Sequence, residues 1–505
     1  MNNFYGKSKF DLNNNPRLLN RIFLLFVMGC SAIVITKAIY SIIIGSSLNL
    51  VSGSWIGLAM DLSDGIFYRP LFSEAIGYGG TRFFPLYFSI HALLIKLFGM
   101  PIVSGHIVSI CSGILLFSAC FILFRQMKVK LIIAFILLSL LLSTSTIQLG
   151  LSTIRADILP VALNIIGIAF ILSNYSTKYK IILASIFFTL AFSAKVTAIH
   201  GILSVFLWLI LTKRIKEALC VLLFTFMGYI LFFSVLYLGT SGRIISIFSS
   251  CASGGADLLT AIKAPIRFLK KVIKNDPICF LFSLWILFVS WKNKKDLVTN
   301  LFFIFWLVTI VITVFIFGSP GTNYNHLADF STASILLIGS MWSFSKLPIT
   351  KYFCMICIII SIAYNLLSVK LVFAGEDDHM GIRYPKEIID VIRQNDAEVI
   401  SENPMLPIIA NKQPYLLDPF MFRLIFLKDE NFRFSAINSI NQKKYSAIIF
   451  MYDPLIDVKW YSDAHFGYDF IQAVIKNYKI GFKCGNYIVY IPSYPNSDWE
   501  KGGIE

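Results

Sequence analysis

The side chains able to do chemistry in this chain cluster in short polar segments between long apolar runs. The first segment, 46–82, places Asp61 and Asp64 three positions apart and then supplies Arg69, Glu74 and Arg82. A carboxylate in such a segment can take a proton from an attacking hydroxyl, more readily when partly desolvated. A second reads STIRAD, with Arg155 and Asp157. A third is a turn holding Lys195, with His200 just beyond. A fourth, GSPGTNYNHLAD, carries Tyr324, Asn325, His326 and Asp329. Arg82, Arg155 and Lys195 are cations that could stabilise an anionic group in a site that excludes water. His326 or Tyr324 could orient a substrate. The stretch 257–276 repeats Lys263, Arg267, Lys270, Lys271 and Lys274 at roughly helical spacing beside Ile262, Ile266, Leu269 and Ile273. It reads as a basic amphipathic helix at a membrane surface, attracted to anionic headgroups or holding a lipid phosphate.

The elements that must position these groups are membrane spans. Apolar residues make up 57% of the chain and charged residues 14%, where a soluble domain carries roughly 25% charge. Helices in lipid satisfy their own backbone groups, so the long apolar runs can span. The net charge of +16 lies in short clusters between these runs, as in positive-inside loops, and no nucleic-acid motif accompanies it. Most of the cysteines fall inside apolar runs, Cys354 and Cys357 with CxxC spacing among them. They read as small apolar residues, with neither a disulfide framework nor zinc-ligand spacing.

Orientation decides one ambiguous stretch. If 83–98, which contains His91 and Lys96, crossed the membrane, the loop with Arg125, Lys128 and Lys130 would fall outside and every later loop would invert. If it lies in the interface, that loop falls inside, together with Lys178 and Lys180, Lys213–Lys216, Lys292–Lys295, and Lys346 with Lys351. The interfacial reading is therefore taken. The first span begins at Ile22, and the others are expected over 101–124, 129–147, 157–173, 181–194, 197–212, 218–238, 277–291, 299–317, 326–343 and 351–373. The N-terminus is then cytoplasmic. The polar segments gather on the outer face, where ionisable groups at span ends are functional candidates. Any one of them alone could be an interfacial anchor or a helix cap; their common side is the signal. Residues 375–505 have ordinary polar content. YSAIIFMY and NYIVYIP look like strands and YPKEIIDVIRQND like an amphipathic helix, a small extracytoplasmic α/β domain.

This arrangement resembles the GT-C superfamily of membrane glycosyltransferases, which includes protein O-mannosyltransferases and the transferases that add aminoarabinose to lipid A. DGIFY is similar to the family's acidic outer-loop motif, with Asp64 on the acid and Tyr68 on the tyrosine, and Gly65 where a second acid is usual. GTRFFPLYFSIHALLIKLFG resembles its Pro-containing interfacial helix, TIRADILPVAL its Arg-x-Asp span start, and NYNHLADFSTA its Asn-His span start. ISENPMLPIIANKQPYLLDPFM resembles a segment found after the last span. The resemblance implies a donor sugar on a polyprenyl phosphate, presented at the outer face, and inversion in a single displacement.

The expected architecture is a polytopic α-helical membrane protein of about eleven spans, in the cytoplasmic membrane of a bacterium. Residues 1–374 form the transferase domain, with 46–98 as its outer catalytic loop, and 375–505 the α/β domain. Asp64 is the first choice for general base and Asp61 the second. Tyr68, Arg69, Arg82, Arg155, Asp157, Lys195, Tyr324, Asn325 and His326 are expected to bind substrate, and Lys263, Arg267, Lys270 and Lys271 a lipid phosphate. No cofactor is expected; a divalent ion at the Asp61–Asp64 pair is the alternative. The partners are the lipid-linked sugar, membrane lipid and an acceptor glycan, lipid or protein, and no nucleic acid. The competing readings are a transporter or flippase, whose ionisable groups lie nearer the bilayer midplane, and a ligase or polymerase of surface polysaccharide, whose key loop falls late in the chain.

Overall fold

The computed structural model describes residues 16–43, 48–251, 258–277, 298–319, 321–344, 384–395 and 397–494, with Gly45 and a few positions between 280 and 288. The expected span at 351–373, and most of that at 277–291, lie outside the described residues.

Helix α1 (Pro16–Ile43) follows the first apolar run. The next segment is more structured than an open loop. Asn49 caps α2 (Leu50–Ser63) by accepting the Ser52 amide, the usual role of a short polar side chain at a helix start. The chain then forms a two-strand ribbon, β1 (Phe72–Ser73) and β2 (Gly77–Tyr78). Helix α3 (Pro85–Phe98) starts on a proline, which needs no amide partner there.

Seven helices follow: α4 (Pro101–Gln126), α5 (Leu131–Ser143), α6 (Ser145–Ser152), α7 (Ile158–Ile171), α8 (Thr177–Ala194), α9 (His200–Leu211) and α10 (Ile215–Gly239). Where one span was expected over 129–147, α5 and α6 meet at a bend of 72°. The Asp276 carboxylate stabilises the corner. It accepts from the Ser145 amide at 3.0 Å, Thr146 Oγ1 at 2.7 Å and Ser331 Oγ at 2.8 Å. A new helix start leaves amides unpaired, and Asp276 answers one of them.

Helices α11 (Arg243–Cys251) and α12 (Leu258–Asn275) precede α13 (Leu301–Ile316). A 3-10 turn (Tyr324–Leu327) leads into α14 (Ala328–Phe344). Among the described residues, α4, α8 and α10 are long and apolar enough to cross a membrane, with the α5–α6 pair a fourth if it counts as one span. Helices α7, α9 and α13 are shorter apolar helices. α7 is apolar all round and buried on almost every side, as a helix at the centre of a bundle must be. It packs against α4, α8 and α9.

The tail forms a four-stranded sheet in the order β3 (Val399–Ser401), β4 (Ala447–Phe450), β6 (Tyr487–Pro492), β5 (Tyr478–Cys484). β3 and β4 are parallel; the other two pairs are antiparallel. β4 is buried throughout, which matches its unbroken apolar run. Around the sheet lie α15 (Lys386–Gln394), α16 (Met405–Ile409), α17 (Pro419–Lys428), α18 (Glu430–Asn441), α19 (Val458–Asp463) and α20 (Tyr468–Asn477).

The tail and the 46–82 segment form one packed body. Met405, Ile408 and Leu417 share a core with Trp55, Ile56 and Ala59. Tyr78 donates its amide to Tyr415 O at 2.7 Å, and Leu417 returns an amide to Tyr78 O at 3.1 Å. Two glycines permit this approach. A Cβ on Gly53 would lie 2.6 Å from the Met405 nitrogen. Gly77 has φ +81, and a Cβ there would lie 2.0 Å from Tyr415 O.

Candidate functional site

A cavity of about 1790 Å³ opens between the bundle and the tail. One wall is charged. Helix α8 ends at Lys195, where the helix dipole favours a cation, and Asp157 sits at the start of α7, where it favours an anion. Lys195 Nζ lies 2.7 Å from Asp157 Oδ1, and Asn325 Nδ2 donates to the same oxygen at 3.0 Å. Arg155 Nε lies 3.0 Å from Asp157 Oδ2 without hydrogen-bond alignment. Burial alone would raise the Asp157 pKa. The Lys195 ammonium and then the Arg155 guanidinium outweigh it, so the carboxyl is held well below its ordinary range. His326 is half-buried in the cavity wall, and its Nδ1, itself buried, has no hydrogen-bond partner among the described residues.

Helix α3 fixes this wall. Tyr87 Oη and Ser109 Oγ are 2.7 Å apart, and Ser109 donates to Thr153 O at 2.8 Å, two residues before Arg155. Arg82 comes to the cavity from the residues just ahead of α3 and lies over the Phe420 ring, 5.7 Å from its centroid.

A second wall is apolar. Phe84, Phe233, Phe248, Val311, Val314 and Phe315 line it. Ala264 and Pro265 of α12 join it, so the basic amphipathic helix forms part of the cavity. Trp55 lines the cavity too, stacked on Phe83 with centroids 4.3 Å apart.

The third wall belongs to the tail and supplies Asn403, Asp418, Tyr452, Trp460, Asp463 and His465. None of these was singled out in the sequence. They lie in a stretch of ordinary polarity, where no intramembrane cost marks a charged residue. Asn403 and Asp418 lay within the ISENPMLPIIANKQPYLLDPFM motif, which picked out neither, and the other four lay outside any recognised motif. Asp418 accepts the Phe420 and Met421 amides at the start of α17. Burial raises its pKa, against the pull of the Met421 amide and of Arg82.

The structure brings Arg82, Arg155, Asp157, Lys195, Asn325 and His326 together, from four segments of the sequence. It does not bring the expected bases with them. Asp61 is fully buried, and its oxygens take Arg69 Nη2 at 2.5 Å and Nε at 2.7 Å. Arg69 Nη1 donates to Ile76 O and Pro414 O. Both side chains are therefore committed to fastening the 46–82 segment to the tail. Asp64 is exposed at the end of α2 and accepts from Gln413 at 2.5 Å; it is not among the cavity residues. Tyr68 is buried and donates to Phe83 O at 2.8 Å. Tyr324 is half-buried and packs against the bundle core. Asp61, Asp64 and Tyr68 lie at the end of α2 and just after it, whereas the cavity is lined by the start of that helix, through Asn49, Val51 and Ser54, and by Arg82 further on.

Helix α12 splits its cations. Arg267 donates to Phe317 O and Ser319 O, and Lys271 to Asn323 Oδ1, so both tie the helix to the 317–323 turn. Lys263 and Lys270 are exposed beside exposed Ile262, Ile266 and Leu269. Among the described residues no group of three His, Cys, Asp or Glu side chains could hold a metal ion.

No family model matches the chain. No curated protein matches it by sequence. Solved structures do match its fold. ArnT from Cupriavidus metallidurans, bound to undecaprenyl phosphate, has a TM-score of 0.58 at 11% identity, covering 92% of this chain and 98% of its own. The apo oligosaccharyltransferase of Archaeoglobus fulgidus has a TM-score of 0.55 at 12% identity, covering 97% of this chain and 76% of its own. The oligosaccharyltransferase AglB of the same organism, complexed with an inhibitory peptide and a dolichol-phosphate, has a TM-score of 0.50 at 12% identity, covering 90% and 71%. The likeness is one of fold, and it is the fold to which the sequence motifs pointed.

Proposed function

We propose that this protein is a membrane glycosyltransferase that moves a sugar from a polyprenyl-phosphate donor to an acceptor hydroxyl at the outer membrane face. One observation carries the reading: a single cavity joins a cationic wall of Arg82, Arg155 and Lys195 to an apolar wall of helix-borne side chains. A polyprenyl phosphate has that duality of charge and hydrocarbon. Two of the solved structures of this fold are described as holding such a lipid. The polar groups also cluster at helix ends, where an enzyme acting on a surface-presented headgroup needs them; a carrier would place them midway along its spans.

In the proposed reaction the acceptor oxygen attacks the anomeric carbon as the bond to the phosphate oxygen breaks. Polyprenyl phosphate leaves with the electron pair, and the configuration inverts. The cations stabilise the charge growing on the phosphate, in a site that a partly apolar cavity keeps dry. Asp157 holds Arg155 and Lys195 at separate corners of one carboxylate, which spaces two charges that would otherwise repel.

Purified full-length protein is expected to bind undecaprenyl phosphate. Arg82→Gln and Lys195→Gln should each weaken binding roughly tenfold, the worth of one charge-assisted hydrogen bond. Mass analysis of surface glycans should show a missing sugar in a deletion strain. Undiminished binding in both variants, with unchanged glycans on deletion, would sink the reading.

A further inference from the structure

The transferase reading leaves the acceptor's proton without a destination, because Asp61 is paired and Asp64 lies off the cavity. The tail wall carries an arrangement that supplies one. Glu402 follows β3 directly and is fully buried. Its Oε2 accepts the Met451 amide at 2.7 Å and Tyr461 Oη at 2.9 Å. Its Oε1 accepts Trp460 Nε1 at 2.8 Å and faces His465 Nδ1 at 2.5 Å. Three groups thus fix one carboxylate, and that carboxylate fixes one imidazole. The Trp460 ring packs on the same imidazole, with centroids 4.6 Å apart. His465 lines the cavity, on the same wall as Asp418.

The backbone around this histidine is unusual. Phe466, the next residue, has φ +62, and Gly467 has φ +99. A bulky residue in the left-handed region is strained, and such strain persists only where surroundings enforce it. Here Phe466 is buried among Phe422, Phe450 and Phe470. The sharp turn between α19 and α20 holds His465 at the cavity. The pair also lies where β3 ends beside β4, at the carboxyl edge of the parallel strands, a common place for ligand sites in sheets with parallel strands.

We propose that His465, oriented by Glu402, is the general base that takes the proton of the acceptor hydroxyl. With Nδ1–H donated to Glu402, Nε2 is the acceptor. As the acceptor oxygen bonds to the anomeric carbon, its proton passes to Nε2 and the bond to phosphate breaks. Glu402 then stabilises the imidazolium, and the released polyprenyl phosphate carries the negative charge toward Arg82, Arg155 and Lys195. Atoms and charge balance with no further reactant. His465 is the catalytic residue in this scheme and Glu402 a positioning residue. The scheme also places the acceptor against the tail and the donor against the bundle.

The proposal rests on the transferase reading, and the experiment separates the two. Membranes from the source strain lacking the gene are resupplied with each full-length variant, and return of the missing sugar is followed by mass. Undecaprenyl phosphate binding is measured on the same proteins. His465→Gln is expected to lower the transfer rate about 10²–10⁴-fold, the usual worth of a general base, with binding unchanged. Glu402→Gln should lower transfer at saturating donor without altering donor KM, and Glu402→Asp should recover part of the loss. Added imidazole should restore transfer to His465→Ala. Wild-type transfer by His465→Gln, or no imidazole rescue of His465→Ala, overturns the assignment while the transferase reading stands. If the unaltered protein neither binds undecaprenyl phosphate nor restores the sugar, both readings fall together.

Discussion

At the scale of single residues, type and spacing located the cations better than the acids. Arg82, Arg155 and Lys195 stand next to helix starts and ends in the sequence, where an unpaired charge is costly, so each announced itself. Asp61 and Asp64 looked equally promising, because sequence shows neither the Arg69 partner of one nor the exposure of the other. The two variants now have opposite expectations. Asp64→Asn should leave transfer near the wild-type rate. Asp61→Asn should cost about 3–5 kcal/mol of stability, because it strands Arg69 in the interior. Thermal unfolding beside the glycan mass assay checks both; inactivity of a stably folded Asp64→Asn would return that residue to the site. Asp418 gives a pH test. Its native pKa is raised by burial, so the native state keeps its proton longer than the unfolded chain. Its contribution is fully present below the unfolded value and is lost as pH rises through the raised one. Asparagine caps a helix equally well. Asp418→Asn should therefore melt higher than the unaltered protein at about pH 8, with the difference closing toward about pH 4, the ordinary range of the group. A constant difference across that range would remove titration as its cause.

At the scale of elements, the runs of apolar residues marked most helices of the bundle, and their interruptions marked the corners. The α5–α6 bend was not legible, because Asp276, which stabilises it, comes from a segment more than a hundred residues away. Helix α2 was missed for a related reason. Its sequence, LVSGSWIGLAMDLS, mixes small and apolar residues with no polar face, since the tail covers one side and α3 another. Gly53 records that covering. Alanine there would put a Cβ against the Met405 backbone nitrogen, which has no side chain to swing aside, and overpacking of this kind costs about 1–3 kcal/mol. Gly53→Ala should lower the melting temperature and expose the tail to protease. Gly29→Ala, which meets nothing within 4 Å, should do neither. Equal protease resistance in the two would mean that the tail and α2 part easily.

At the scale of the whole molecule, sidedness is the argument that joins the site to a membrane. Along the bundle, Arg125 sits in the last turn of α4 with Lys128 and Lys130 after it, Lys178 and Lys180 begin α8, and Lys213 and Arg214 lie between α9 and α10 with Lys216 in the first turn of α10. Arg155, Asp157 and Lys195 lie at the intervening turns. Helices that alternate in direction put these two sets at opposite ends, and the cavity and the tail belong with the second set. On the proposed reading, the positive-inside bias would put the basic clusters in the cytoplasm and the cavity at the outer face. The exposed Lys263 and Lys270 of α12 lie beside the cavity wall, among apolar side chains that face away from the core. On the proposed reading they would meet anionic headgroups on that same face. A cysteine at the exposed position 479 of the tail, in a chain cleared of its own cysteines, should react with a membrane-impermeant maleimide in intact cells. A cysteine at the exposed position 178 should react only after the cells are opened. Labelling of position 178 in intact cells would place the cavity in the cytoplasm. The donor would then have to be presented there, and the interfacial reading of 83–98 would have to give way to a crossing.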